Sequence, residues 1–165
     1  MATSKLCEAL FGADGTGTAT GTDGLLQFLA ESAYLWSYRG QHDKAVPMFE
    51  ALNVLAPSEP IGQLGLAEAY LSQKKFREAD KAADQAARAS RIDRRTLAYA
   101  YKLRGKALVQ LKKPRDAEKA LRKAAEIDRD GEEGQSALQL IELLTRIGLL
   151  AAPAEAAAAA TGKRK

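Results

Sequence analysis

Two consecutive segments decide the fold: residues 26–59 read LQFLAESAYLWSYRGQHDKAVPMFEALNVLAPSE and residues 60–93 read PIGQLGLAEAYLSQKKFREADKAADQAARASRID. Both are 34 residues long, and small and bulky residues recur in them at helical spacing. In the first they are Leu29, Ala33, Trp36, Gly40, Ala45, Phe49 and Pro57; in the second they are Leu66, Ala67, Tyr70, Phe76, Ala79 and Ala86. A period of this length predicts stacked pairs of helices, in which each pair covers the apolar face of the next.

The first segment shows how each pair is built. One helical face is formed by Leu25, Leu26, Leu29, Ala33 and Trp36. Gly40 predicts a left-handed helix end, which glycine adopts at little cost. A second helix is predicted from about His42, and it must end before Pro57 because proline cannot continue the helical hydrogen bonds. The same pattern predicts two helices in the second segment.

A third pair follows when Ala117 is aligned with Ala45 and Ala79, and it covers residues 98–131. Pro114 then falls at the start of a helix, where proline is tolerated. The alanines are 34 and then 38 residues apart. The sequence therefore predicts an insertion of about one helical turn near residues 90–96, either in a helix or in the connection.

The remaining segments flank this repeat region. Residues 1–24 contain a short apolar patch (Leu6, Leu10 and Phe11) and a Gly/Thr stretch that we expect to be a flexible linker. An amphipathic stretch over 135–150 predicts a capping helix for the last pair, whose end would otherwise expose apolar surface. Residues 151–165, an alanine run ending in three basic residues, are predicted to be disordered or weakly helical.

Composition limits the class of protein. With 165 residues, 46% hydrophobic and 28% charged, the chain is predicted to form one all-α domain. A single cysteine (Cys7) and a single histidine (His42) predict no internal disulfide and no Cys/His zinc site. No apolar run is long enough for a membrane span, and no signal peptide is recognisable, so a cytoplasmic location is expected. We predict no cofactor, no metal and no enzymatic activity.

The repeat resembles the tetratricopeptide repeat. Its small residues pair across each hairpin as Ala33 with Ala45, Ala67 with Ala79 and Gly105 with Ala117, while Trp36, Phe49 and Tyr70 fill the gaps. The resemblance implies a right-handed α-α superhelix of three hairpins plus the capping helix. The stretch Tyr38–Ala45 followed by Phe49–Leu55 is also similar to the first repeat of type III secretion chaperones, which hold translocator proteins.

The same resemblance implies a site for a bound peptide. In tetratricopeptide superhelices the first helix of each pair lines a concave groove. Carried onto this chain, the peptide-binding positions are Tyr34, Tyr38, Leu64, Glu68, Leu71, Tyr99, Lys102 and Lys106. Apolar client side chains would lie against the tyrosines and leucines, and acidic groups would lie near the two lysines. The tyrosines have an alternative role, which is to pack between adjacent helices.

Charge along the chain leaves further alternatives open. Residues 91–123 hold 12 basic and 3 acidic side chains, whereas residues 1–59 hold 3 and 7. The basic block could be a solvated or intersubunit face, contact an acidic protein, or bind nucleic acid. Carboxylates at helical spacing, as in Lys112/Asp116 and Glu118/Arg122, favour the solvated face.

Three functions are therefore considered. The first is a peptide-binding chaperone or adaptor, with a type III secretion chaperone as its most specific form. The second is a structural assembly subunit that forms homodimers or larger oligomers through the N-terminal patch and the exposed ends of the solenoid. The third, a nucleic-acid-binding protein acting through the basic block, fits least well.

Clustered carboxylates at Asp128, Asp130, Glu132 and Glu133 lack the ligand spacing of a calcium loop.

Overall fold

A computed structural model describes the backbone of residues 21–150 and the side chains of residues 24–150. Over this range the secondary structure consists of seven helices and no strands, which confirms the prediction of an all-α helical-repeat fold. The predicted N-terminal patch (Leu6, Leu10, Phe11) and the alanine-rich tail lie outside the described residues. The helices are α1 (Gly21–Tyr38), α2 (His42–Leu55), α3 (Ile61–Ser72), α4 (Phe76–Ala86), α5 (Arg94–Gln110), α6 (Pro114–Ile127) and α7 (Glu132–Arg146).

The chain divides into two compact units, Met1–Asp93 and Arg94–Lys165, which we call the N-terminal and C-terminal units. The boundary falls where the repeat period slips. Helix α5 has 17 residues, against 12 in the corresponding α3, and residues 87–93 form a longer connection than residues 56–60. The extra residues thus lie mainly in the first helix of the third pair and partly in the connection before it.

Close helix packing in the N-terminal unit centres on Phe49 of α2, which is fully buried. Its ring meets the ring of Tyr34 in α1 edge to face, with centroids 5.0 Å apart and an interplanar angle of 72°. On its other side the ring lies against α3 at Gly65, where a Cβ atom would overlap the ring. Phe49 therefore joins the first hairpin to the second, and this contact requires glycine at position 65.

The core of the C-terminal unit is built mostly from alanine and leucine. Leu121 of α6 packs against α5 at Gly105, where an added Cβ would come within 2.6 Å of the leucine side chain. Helix α7 covers this hairpin through Ala137 and Leu144, which join Leu121 in one buried cluster. Small residues let the helices approach closely, and the leucines fill the remaining space.

The turns inside the three hairpins share one conformation. Gly40, Lys74 and Lys112 occupy equivalent repeat positions and have φ values of +74°, +60° and +57°. The left-handed helix end predicted at Gly40 is therefore present, and two lysines adopt the same conformation despite its cost for residues with a Cβ atom. The conformation is imposed by the hairpin, because each turn must reverse the chain in the same way.

Two helix boundaries differ from the sequence-based expectation. Helix α1 already begins at Gly21, inside the expected linker, because extending a packed helix by a turn costs much less than starting one. Helix α7 begins at Glu132 and ends at Arg146, before the expected end at residue 150. Gly148 takes a left-handed conformation there, and Leu149 and Leu150 both donate their N–H groups to the Leu144 carbonyl.

Candidate peptide-binding surface

The predicted contact residues of the N-terminal unit are unequally accessible. Leu64 is fully buried in α3, and Tyr34 is 8% exposed against Phe49, so both belong to the core. This is the packing role that was the alternative for the tyrosines. Position on the first helix of a pair is not enough to expose a side chain, because that helix also packs against its own hairpin partner.

In the N-terminal unit, the accessible part of the predicted set consists of Tyr38, Glu68 and Leu71. Tyr38 is the last residue of α1 and is 92% exposed, while Glu68 and Leu71 on α3 are half-buried. Helices α1 and α3 contact each other within the N-terminal unit. These side chains therefore offer an aromatic ring, an aliphatic group and a carboxylate on two adjacent first helices.

In the C-terminal unit, Lys102 already has an internal partner. Its Nζ donates to Glu133 Oε2 of α7, and both side chains are only 10% exposed. The ammonium also lies 4.8 Å from the centroid of the Tyr99 ring, close enough for a cation–π contact. A charge held in this way is not available to a client carboxylate unless the pair opens.

Lys106, one turn further along α5, is exposed. Of the two lysines predicted to meet acidic groups, it is the one that solvent reaches. The pairing of Lys102 could not be predicted from the sequence because Glu133 lies 31 residues away. No helical spacing connects the two residues, and only the packing of α7 on α5 brings them together.

The basic block contains several internal contacts. Arg122 forms an ion pair with Glu118 at 2.7 Å, Arg95 with Glu132 at 3.1 Å, and Lys123 lies 4.5 Å from the centre of the Tyr101 ring. Arg94 donates to the Ile127 carbonyl. Such contacts favour a largely structural, solvated face over a continuous phosphate-binding surface.

The expected Lys112/Asp116 pair is not among the ion pairs of the described residues. Lys112 lies before α6 with a positive φ, so the spacing of four residues is not a helical spacing there.

Three of the four carboxylates at residues 128–133 also have structural partners. Asp128 Oδ2 accepts hydrogen bonds from the backbone N–H groups of Glu133 (3.1 Å) and Gly134 (3.4 Å) at the start of α7. Glu132 and Glu133 form the ion pairs with Arg95 and Lys102. A carboxylate at a helix N-terminus accepts hydrogen bonds from unpaired N–H groups and interacts favourably with the positive end of the helix dipole. This cluster therefore fixes α7 in place.

An exposed apolar face on α1 was not predicted. Phe28 is 64% and Leu35 47% exposed, and their spacing of seven residues places them on one side of the helix. The sequence analysis assigned no role to either residue. Polar neighbours on that side, such as the exposed Glu31, would have indicated that this side of α1 faces solvent.

Tyr70 of α3 has a perturbed hydroxyl. Burial raises the pKa of Tyr70 above its ordinary value of 10.0, and the carboxylates of Glu50 and Glu78 raise this pKa further. The hydroxyl therefore remains protonated at neutral pH.

Neither a membrane span nor a metal-binding cluster is found among the described residues. None of their helices is both long and apolar enough to cross a membrane. Within the same range, no group of three or more His, Cys, Asp or Glu side chains has an arrangement that could hold a metal ion.

Comparisons with known proteins identify the type of fold. No family model matches the sequence, and no curated protein matches it either. Among solved structures, the chain is similar to the first TPR of Spaghetti (RPAP3) bound to the HSP90 peptide SRMEEVD, with a TM-score of 0.62 and 24% identity over 73% of this chain and 93% of that one.

Two further structures agree. The N-terminal domain of stress-induced protein-1 (STI-1) from C. elegans has a TM-score of 0.63 and 19% identity over 74% of this chain and 98% of that one. The first TPR domain of the human RPAP3 protein has a TM-score of 0.62 and 25% identity over 73% and 92%. The chain shares its fold with tetratricopeptide-repeat domains.

Proposed function

We propose that this protein is a peptide-binding adaptor that holds an extended client segment along the first helices of its pairs. The observation that carries the proposal is the similarity of fold to a tetratricopeptide-repeat domain solved with an acidic peptide bound. Recognition of this kind needs no catalytic step and no cofactor. Binding energy would come from apolar side chains covered by aromatic and aliphatic groups.

The accessible residues narrow the proposed contacts. In the N-terminal unit, Tyr38 and Leu71 would contact apolar client side chains, and Glu68 would accept hydrogen bonds from client N–H groups. In the C-terminal unit, the exposed Lys106 would meet client carboxylates. Lys102 would take part only if a client carboxylate replaced that of Glu133.

The test begins with a random peptide library displayed on phage and selected on the full-length protein. Enriched peptides should combine apolar and acidic residues, and truncating both Tyr38 and Leu71 to alanine should weaken their binding about tenfold or more. Val54→Ala is a matched control, because Val54 is 80% exposed but lies on a second helix. The proposal fails if no peptide is enriched, or if the control weakens binding as much as the double variant.

A more specific form of this proposal is a chaperone for a type III secretion client, in the cytoplasm. It is supported by the resemblance of the first repeat to such chaperones. Co-purification of the protein from its native cell, followed by identification of the bound proteins, tests it directly. Recovery of proteins unconnected with secretion would reject the secretion chaperone and leave only the general adaptor function.

A second candidate function is assembly. The exposed Phe28 and Leu35 on α1 favour it, because exposed apolar faces mark interaction sites. Deleting residues 1–24, combined with Phe28→Ser and Leu35→Ser, distinguishes the two functions. Loss of self-association with client binding retained supports the adaptor, whereas loss of both supports the assembly subunit.

A further inference from the structure

The C-terminal unit contains a cavity of about 280 Å³ that none of the proposed contacts uses. It opens between the end of α5, the start of α6 and the end of α7. Its lining is apolar except for one lysine: Val109, Lys112, Pro114, Leu144, Leu149 and Leu150. We call it the α5–α7 cavity.

Its walls are fixed by backbone hydrogen bonds. On one side, Lys112 and Lys113 donate their N–H groups to the carbonyls of Val109 and Leu108, both at 3.0 Å. On the other, Leu149 and Leu150 fold back after Gly148 and donate to the Leu144 carbonyl at 2.9 and 3.2 Å. A cavity with ordered walls loses little conformational entropy when a ligand enters.

The chemistry of the cavity combines an apolar interior with a cationic rim. Leu144 and Leu150 are buried at its base, and Leu149 is half exposed at its mouth. Four exposed cations occupy the adjoining turn and the first turns of α6: Lys112, Lys113, Arg115 and Lys119. None of the four forms an ion pair with another described residue, and the acidic residues on the same turns of α6 are Asp116 and Glu118, the latter paired with Arg122.

We propose that the α5–α7 cavity is a second binding site, which takes one apolar side chain of an acidic partner peptide. The volume lies just below the range of about 300–1,000 Å³ typical of small-molecule sites, and it suits a single anchoring side chain. A carboxylate next to that side chain would approach the Lys112 ammonium at the rim. The site lies outside the surface of the proposed adaptor function and does not depend on it.

Charge and side-chain size disfavour the other occupants. The chain's own tail begins with Ala151-Ala152-Pro153-Ala154, whose small groups would fill little of the cavity, and it ends in three basic residues. A symmetric pairing of two copies through this face would bring the same cations together, which is unfavourable. An acidic segment from another protein complements the rim.

The experiment uses the full-length protein with labelled Leu and Val methyl groups, observed by NMR. The probe is the capped peptide acetyl-Glu-Asp-Leu-Asp-Glu-amide. We expect saturable shifts of the methyl groups of Val109, Leu144, Leu149 and Leu150. A peptide with serine in place of leucine, and one with Gln and Asn in place of the acids, should each bind several-fold more weakly.

Protein variants locate the site. Lys112→Asn keeps a residue that tolerates positive φ and should weaken the probe up to about fivefold, while Leu149→Ser should weaken it at least about fivefold. Lys74→Asn, at the equivalent turn of the N-terminal unit, is the matched control and should have no effect. Tyr38→Ala should also leave this binding unchanged, which separates this site from the adaptor surface.

Several results would overturn the proposal. Equal binding of the three peptides, methyl shifts confined to other residues, or loss of binding in Tyr38→Ala but not in Lys112→Asn would each do so. Shifts of the Val109 and Leu144 methyl groups on deletion of residues 151–165, without peptide, would show that the tail occupies the cavity. Shifts that depend on protein concentration would show that a second copy does.

Discussion

The outermost described helices, α1 and α7, are held in place by different interactions. In the N-terminal unit, α1 packs through Tyr34 on the ring of Phe49, a contact between two aromatic groups. In the C-terminal unit, α7 is held at its start by the Lys102–Glu133 pair and by Asp128, which accepts two backbone N–H groups. One end depends on shape and the other on buried charge.

This difference determines how each helix responds to change. Aromatic packing loses stability in proportion to the contact removed. A buried ion pair behaves asymmetrically, because removing one partner leaves the other charge buried and uncompensated, whereas replacing both can cost little. We therefore expect the C-terminal unit to be sensitive to single charge changes and the N-terminal unit to changes in volume.

The largest effect is expected for Glu133→Gln. It leaves the Lys102 ammonium buried without its carboxylate, and we expect the free energy of unfolding to fall by about 3 kcal/mol. Urea denaturation measures the change, and hydrogen exchange should show faster exchange of the amides in α7. An effect no larger than that of an exposed pair such as Glu118/Arg122 would show that the pair contributes little.

The double variant Lys102→Met/Glu133→Leu is the matched control. Since it removes both charges and keeps the volume similar, its stability should lie within about 1 kcal/mol of the original or exceed it. A loss as large as that of Glu133→Gln would mean that position 133 matters through its shape and not through its charge.

The next effect is expected for Gly65→Ala in the N-terminal unit. The new Cβ would overlap the Phe49 ring, which cannot move away because Tyr34 packs against it. Overpacking of this kind costs about 1–3 kcal/mol, against which the better helix propensity of alanine returns up to about 1 kcal/mol. We expect a net loss of about 1 kcal/mol by urea denaturation.

Gly105→Ala tests the same contact type in the C-terminal unit. There the obstacle is the Leu121 side chain, which is fully buried but can adjust its χ angles more easily than an aromatic ring, so we expect a smaller loss than at Gly65. Equal losses at the two positions would contradict the view that the rigid aromatic contact distinguishes the N-terminal unit.

Sequence was sufficient for the fold because the repeat is local. The small residues at Ala33, Ala67 and Gly105 recur at nearly constant spacing, and Gly40 marks a helix end by its backbone conformation. Pro57 follows the end of α2, although Pro47 is accommodated inside the same helix. The division into two units could not be read in this way. The four-residue slip in the period was visible in the sequence. Whether the extra residues lengthen α5 or the connection before it depends on which of them pack against other helices, and this is not visible in the sequence.

The candidate site was less predictable for a physical reason. Repeat position identifies the helix that bears a residue but not the neighbours that cover it, so Leu64 and Tyr34 were expected at a surface and lie in the core. Lys102 was expected to bind a carboxylate of the client, but it pairs with Glu133 of α7. Exposure depends on contacts distant in sequence, which a single sequence does not reveal.

A smaller effect is expected at the hairpin turns. Lys74 and Lys112 both have positive φ, and glycine at either position relieves strain of about 1–2 kcal/mol while it adds about 0.5–1 kcal/mol of backbone entropy cost. Lys74→Gly should therefore stabilise the protein by about 0.5 kcal/mol in thermal denaturation. Lys112→Gly should gain less, because its side chain lines the α5–α7 cavity; a larger gain at position 112 would contradict that packing role.

The smallest effect concerns Tyr70 in the N-terminal unit. Because burial and then Glu50 and Glu78 raise the pKa of Tyr70 above 10.0, the unfolded chain loses this proton at lower pH than the folded protein. Stability from this group is present below pH 10 and declines as the pH rises through the folded pKa. The stability of the original protein should therefore decline more steeply above pH 10 than that of Tyr70→Phe, in urea denaturation at fixed ionic strength. In the double variant Glu50→Gln/Glu78→Gln, the difference in stability between Tyr70 and Tyr70→Phe should shrink but persist, because burial is the larger cause of the raised pKa. Complete loss of that difference would assign the raised pKa to the two carboxylates alone.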